Sequence, residues 1–179
     1  MEKLTARDLY LRRKESTVGE VEDGYTASDK ESMINAFLEG KMTAEELWKK
    51  SGLVGNYEAW AFGDDSDRLA ELVKAGIKTA TCSLYFFYEI EKEPLPEVGE
   101  YNIILNSADE AVCITRTTKV YVTAFGDVTE EHAFKEGEGD RTLEYWKKVH
   151  EKFFGNELST VGKVLDGETK LVCEEFELI

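Results

Sequence analysis

The chain has 179 residues, 42% hydrophobic and 33% charged, with a formal net charge of −15, which suits one soluble domain with an appendage. So acidic a surface repels a phosphate backbone, so long nucleic acid is disfavoured outside a local basic groove and no DNA partner is expected. No apolar run approaches the ~20 residues that span a bilayer, and MEKLTARDLYLRRKES has no apolar signal region, so no membrane partner and a cytoplasmic location are expected.

Residues 1–52 read as a helical extension and 53–179 as the main domain. Up to about residue 27 only a helical turn or two and a turn-rich loop are legible. SDKE, Ser28 to Glu31, is a capping box ahead of Met33, Ile34, Phe37 and Leu38, and Gly40 stops that helix. TAEE, Thr43 to Glu46, repeats the device ahead of Leu47 and Trp48. EAWAFGDD holds Trp60 and Phe62 before a helix that starts near Asp65 or Ser66. Leu69, Leu72 and Val73 share one face of it, and Gly76 falls where a left-handed residue ends a helix.

The pattern then changes. TATCSLYFFYEI is β-branched and aromatic and reads as a strand; a proline-bearing loop, EPLPEVGEY, leads into the strand YNIILN. SADE is a hairpin turn. AVCITRTTKVYVTAF is too long for one flat strand, so a bend or bulge is expected in it. Thr129 caps a short helix with Glu130 and Glu131 in its first turn, and Gly137 and Gly139 break it. Asp140 caps the next helix, where Leu143, Trp146, Val149 and Phe153 keep helical spacing and Gly155 closes it. KLVCEEFELI is the last strand. Five or so short, mostly antiparallel strands in so small a domain predict an α+β fold built on a closed or nearly closed small β-barrel with flanking helices.

Three cysteines, Cys82, Cys113 and Cys173, lie far apart in strand-like contexts and read as reduced core residues. Two histidines, with no CxxC or HExxH, give no metal site, and no cofactor is implied.

Two stretches carry candidate chemistry. In AGIKTATCS, Gly76 turns the chain out of a helix, and Lys78 and Thr81 lie three apart with Thr79 and Ser83 as further hydroxyls. In extended backbone Lys78 and Thr81 face opposite ways, so they converge only if the chain curls at the strand's start. In HAFKEGEGD, His132 and Glu136 share one helical face, and Glu136, Glu138 and Asp140 crowd together. Crowding and burial raise a carboxyl pKa towards the range of a general base. Arg141, Lys147, Lys148, His150 and Lys152 form a basic cluster suited to an anion, or a solvated face paired with Glu144 and Glu151. Trp60 is either an aromatic pocket wall or core.

The Gly-x-Lys-x-x-Thr core, PLPEVGEYNIIL, EEHAFKEGEGDRTLEYWKKVHEKFF and the closing LVCEEFELI together resemble the ASCH domain family, over roughly Trp60 to Ile179. The resemblance implies a PUA-like β-barrel with about five or six strands and a role at nucleosides or RNA. Some small members are amidohydrolases that remove the acyl group of N4-acetylcytidine with a lysine and threonine of that motif and a glutamate four residues after a histidine. The matching residues here are Lys78, Thr81 and Glu136, with Trp60, Gly76, Ser83, His132, Asp140 and Arg141 as the expected substrate contacts. The chain is longer than those enzymes and looks like the longer bacterial subtype. Its expected partner is a nucleoside-like small molecule or RNA. The rival functions are an RNA- or nucleotide-binding module with Lys78, Arg116, Arg141 and Lys148 on phosphate, and a ribonuclease using the same groove.

Overall fold

The structure, a computed structural model, describes residues 41–179; the Ser28–Glu31 capping box and all else in residues 1–40 lie outside the described residues. Five helices are described: α1 (Ala44–Ser51), α2 (Ser66–Lys74), α3 (Tyr85–Glu91), α4 (Glu130–Glu136) and α5 (Leu143–Ser159). Five strands accompany them: β1 (Tyr57–Ala61), β2 (Ala80–Leu84), β3 (Tyr101–Leu105), β4 (Ala111–Ala124) and β5 (Lys170–Leu178). The strands form one curled half-barrel sheet in the order β1-β3-β4-β5-β2, the α+β, PUA-like arrangement expected. β1 runs parallel to β3; the other three pairings are antiparallel. Among the described residues β1 and β2 are sheet edges that do not pair with each other.

Local signals account for most element ends. The TAEE box forms: Thr43 Oγ1 accepts from the Glu46 N–H and a Glu46 carboxylate oxygen accepts from the Thr43 N–H, at 3.2 and 2.9 Å. Trp48 of α1 then rests on Tyr57 and Tyr101, with ring centroids 4.9 and 5.3 Å apart. β4 shifts register against β5 between Thr117 and Lys119, the irregularity its length required. It lets one strand serve both ends of the curl.

Three expectations change. LYFFYEI is not strand beyond Leu84; Tyr85–Glu91 turns into α3, and Phe86 and Phe87 pack beside Leu84 on the core. Gly155 does not close α5, which runs to Ser159, because Phe154 and Leu158 continue the buried face across it. Asp140 is not the cap: Thr142 caps α5, and Asp140, two residues before it, accepts from the Thr142 N–H and hydroxyl. β1 was not anticipated. Its YEAWA has no strict alternation, and it is held by pairing with β3.

The core has two parts. Leu84, Leu171 and Cys173 of the sheet meet Ala133 of α4 and Trp146, Phe154 and Leu158 of α5. In the second, Leu69, Ala70 and Val73 of α2 meet Phe62, Ile104, Cys113 and Phe176. Each fully buried side chain of this size contributes roughly 1.5–3 kcal/mol of burial. The segment between α2 and β2 carries Lys78, which is near Phe62 of the second cluster and bonds Glu136, a partner of Trp146 in the first.

Candidate active site

That segment is pinned from three sides. Gly76 sits at φ +69, and the N–H groups of Ile77 and Lys78 both donate to the Leu72 carbonyl. The Thr79 N–H donates to the Lys135 carbonyl of α4, and the Thr79 carbonyl accepts from Phe176 of β5. The backbone is thus fixed where it leaves the helix, and the Lys78 side chain is driven inward.

α4 is aimed at the same point. Thr129 caps it by accepting from the His132 N–H, and one helical turn places His132 and Glu136 together on its buried face. The end of α4 comes close only because residue 137 is glycine. It has φ +75, and a Cβ there would stand 2.6 Å from the Ile77 carbonyl oxygen.

The result is a buried charge cluster. Lys78 Nζ donates to Glu136 Oε2 and to Glu138 Oε1, each at 2.8 Å, and reaches the Glu136 carbonyl at 3.4 Å. Lys78 and Glu136 are each only 1% exposed. The ammonium also lies 5.2 Å from the ring centroid of Phe62, the residue after β1. The other Glu136 oxygen, Oε1, accepts from Trp146 Nε1 at 2.8 Å and from the Cys82 thiol at 3.1 Å, and lies 3.2 Å from His132 Nε2. With His132 Nε2–H donating to that carboxylate, its Nδ1 accepts from the Tyr121 hydroxyl at 2.9 Å. His150 stacks on Trp146 and donates Nδ1–H to the Trp146 carbonyl, which points its Nε2 at Glu136 from 3.8 Å.

Electrostatics follow from this packing. Burial pushes the Glu136 carboxyl up, but the charge of Lys78, the His132 hydrogen bond and the nearby histidines outweigh it and hold the group well below the usual carboxylate range. Burial pushes the Lys78 ammonium down, and the charges of Glu136 and Glu138 overcome it and raise it. The expected elevation of Glu136 by crowded acids is therefore reversed, because an ammonium sits 2.8 Å from its carboxylate. Burial and the Glu136 charge push the Cys82 thiol well up. Cys82 serves as an S–H donor, not as a thiolate nucleophile.

Among the described residues, Cys82, Glu136 and His150 have ligand atoms within 4.8 Å of one another and could hold a metal ion. A cation there would compete with an ammonium already 2.8 Å from the same carboxylate.

Not every residue singled out in the sequence joins the cluster. Lys78, Glu136 and His132 do. Cys82 points at Glu136, so strand alternation puts Thr81 and Ser83 on the opposite face of β2. The half-buried Thr81 makes no hydrogen bond to Lys78 or Glu136, and Ser83 pairs with the Tyr88 hydroxyl. Trp60 donates to Asn102 and packs edge-on to Phe62, the ring beside Lys78. Asp140 is exposed, and Arg141 lies over the Phe134 ring in a left-handed backbone conformation. His150 faces inward, apart from the basic cluster read around Lys148.

Sequence reasoning did not assign roles to Cys82 and Trp146, which read as core, or to Tyr121, which reads only as part of a long strand. One signal existed for the helix: Trp146 and His150 are one turn apart, on the same face as buried Phe154.

Residues 58–179 match the ASCH domain profile. The chain is similar to an ASCH domain from Lactobacillus crispatus JV V101, with 27% identity and a TM-score of 0.67 over 88% of this chain and 98% of that one. It is also similar to a protein of Enterococcus faecalis V583, with 34% identity and a TM-score of 0.65 over 83% of this chain and 86% of that one. No curated protein matches.

Proposed function

We propose, from the premise that this chain belongs to the ASCH domain family, that it is an amidohydrolase that deacylates an N4-acylcytidine-like nucleoside through Lys78, Thr81 and Glu136. One observation carries the reading: a buried ammonium is held between a buried carboxylate and one that reaches the surface. Desolvating such charges costs several kcal/mol per ion, and apolar side chains fill the same space at lower cost. Strongly perturbed titrating groups of this kind concentrate at functional sites.

Lys78 and Glu136 are already together, whereas Thr81 lies on the other face of β2 and acts as nucleophile only once the start of that strand shifts. The acyl carbonyl oxygen of the substrate takes a hydrogen bond from Lys78, whose charge stabilises the oxyanion as it develops. As the ammonium's charge is shared with that oxygen while its hydrogen bond to Glu136 stays in place, the carboxylate regains part of its basicity. It then accepts the proton of the attacking water, or of Thr81, as the new C–O bond forms. The proton passes to N4 as the C–N bond breaks, leaving the carboxylic acid and the free amine. If Thr81 attacks, an acyl-threonine forms and water cleaves it. Trp146, Cys82 and His132 keep the carboxylate aligned throughout.

The test is carboxylate release from N4-acetylcytidine and longer N4-acylcytidines by the purified chain. Turnover of at least one supports the proposal, and inertness across the set overturns it. Thr81→Ala separates the routes, since it abolishes turnover only where the hydroxyl attacks or positions the water.

A further inference from the structure

Lys78 has three N–H donors, and the protein engages all of them: two on Glu136, through its carboxylate and its carbonyl, and one on Glu138. The two carboxylates are held very differently. Glu136 is 1% exposed, lies within α4 and collects further donors from Trp146, Cys82 and His132. Glu138 is 21% exposed, and Lys78 is the hydrogen-bond partner of its carboxylate among the described residues. It stands outside α4 and α5, between Gly137 and Gly139, whose φ angles are +75 and +55. One ammonium therefore meets two carboxylates, and the solvent-facing carboxylate is in excess.

We propose that the Glu138 carboxylate is a displaceable occupant of the ligand's place on Lys78, which swings away by rotation of its own part-exposed side chain when a ligand oxygen arrives. The assignment of that oxygen to a substrate acyl group rests on the function proposed above. The ligand class is a compound presenting a carbonyl or carboxylate oxygen at the Glu138 edge of the site, and the simplest member is a small carboxylate such as acetate. The exchange keeps charge balanced: one carboxylate leaves the ammonium as another carboxylate, or a carbonyl that becomes an oxyanion, takes its hydrogen bond. Lys78 then stays paired with Glu136 throughout, so no buried charge is left alone.

The test is thermal unfolding of the full chain in sodium acetate against sodium chloride of equal ionic strength. Glu138→Ala opens one donor of Lys78, so its Tm rises saturably with acetate, by about 3–6 °C at ten times Kd. The wild type rises less, because Glu138 competes, and a Glu138→Ala, Lys78→Met variant does not respond. Glu138→Gln, close in shape and neutral, gives a second reading if the alanine variant fails to fold, and its Tm also rises above the wild type's response. No acetate-specific rise in either single variant, or equal rises in all the variants, overturns the proposal. These readouts need no turnover. Acetate binding in a chain that deacylates nothing would retain this site and remove the hydrolase reading, and turnover without acetate binding would do the reverse.

Discussion

Lys78 and Glu136 push each other's proton affinities in opposite directions, and this fixes the pH window in which the pair stabilises the fold. The Glu136 pKa is held below its ordinary 4.5, so its contribution is present above that pH and is lost as pH falls through the folded value. The Lys78 pKa is raised above 10.5, so its contribution is present below that pH and is lost as pH rises through the folded value. Lys78→Ala leaves two acids facing each other without their cation. Urea unfolding at pH 7 should show a loss of about 3–5 kcal/mol, shrinking at pH 4 as the stranded carboxyls take up protons; an equal loss at both pH values contradicts this. Glu157 shows the opposite case. Burial alone pushes it up to about 7, so its folding contribution is full below about pH 4.5 and is lost as pH rises through 7. Glu157→Gln should raise stability at pH 8 by between about 1 and 3 kcal/mol and leave it unchanged at pH 4; equal melting of variant and wild type at pH 8 contradicts this. At this scale the sequence exposed Lys78, Glu136 and His132, because their types and spacing are legible. It hid Trp146 and Cys82, because an indole N–H and a thiol aimed at a carboxylate leave no mark on a hydrophobic pattern.

The helix ends decide whether these side chains meet. A Cβ at residue 137 would stand 2.6 Å from the Ile77 carbonyl at a backbone angle that suits glycine. Gly137→Ala should therefore cost about 2 kcal/mol or more and pull Glu136 away from Lys78. Gly155, within α5, has nothing within 4 Å of an added Cβ, and Gly155→Ala should stabilise by roughly 0.5–1 kcal/mol. Chemical denaturation of the two variants tests the contrast, which fails if both shift the same way. The same contrast explains the misread elements. Gly155 looked like a stop because glycine so often ends a helix, yet buried Phe154 and Leu158 carry α5 through it. LYFFYEI has strand propensity, but packing of Phe86 and Phe87 on the core decides its conformation.

Across the whole molecule, the curl of the sheet was readable from short strands and one overlong one, while the parallel edge strand β1 was not. A parallel pairing joins residues far apart in sequence, and YEAWA has no period of its own. The −15 charge is distributed so that basic side chains on and beside the sheet are largely matched: Arg116 pairs with Glu177, Lys119 with Glu175, and Lys135 of α4 with Glu131 and Glu175. A phosphate backbone would have to break those pairs. Filter binding should therefore retain little single-stranded RNA at about 150 mM salt, and tight, steeply salt-dependent retention would favour an RNA-binding module. The most direct test of the account is the kcat/KM of carboxylate release from N4-acylcytidines for the wild type and Glu136→Gln, with folding checked by thermal unfolding. The account predicts wild-type turnover and a loss of about 100-fold or more in a folded variant; a folded variant that keeps the wild-type rate, or an inert wild type, contradicts it.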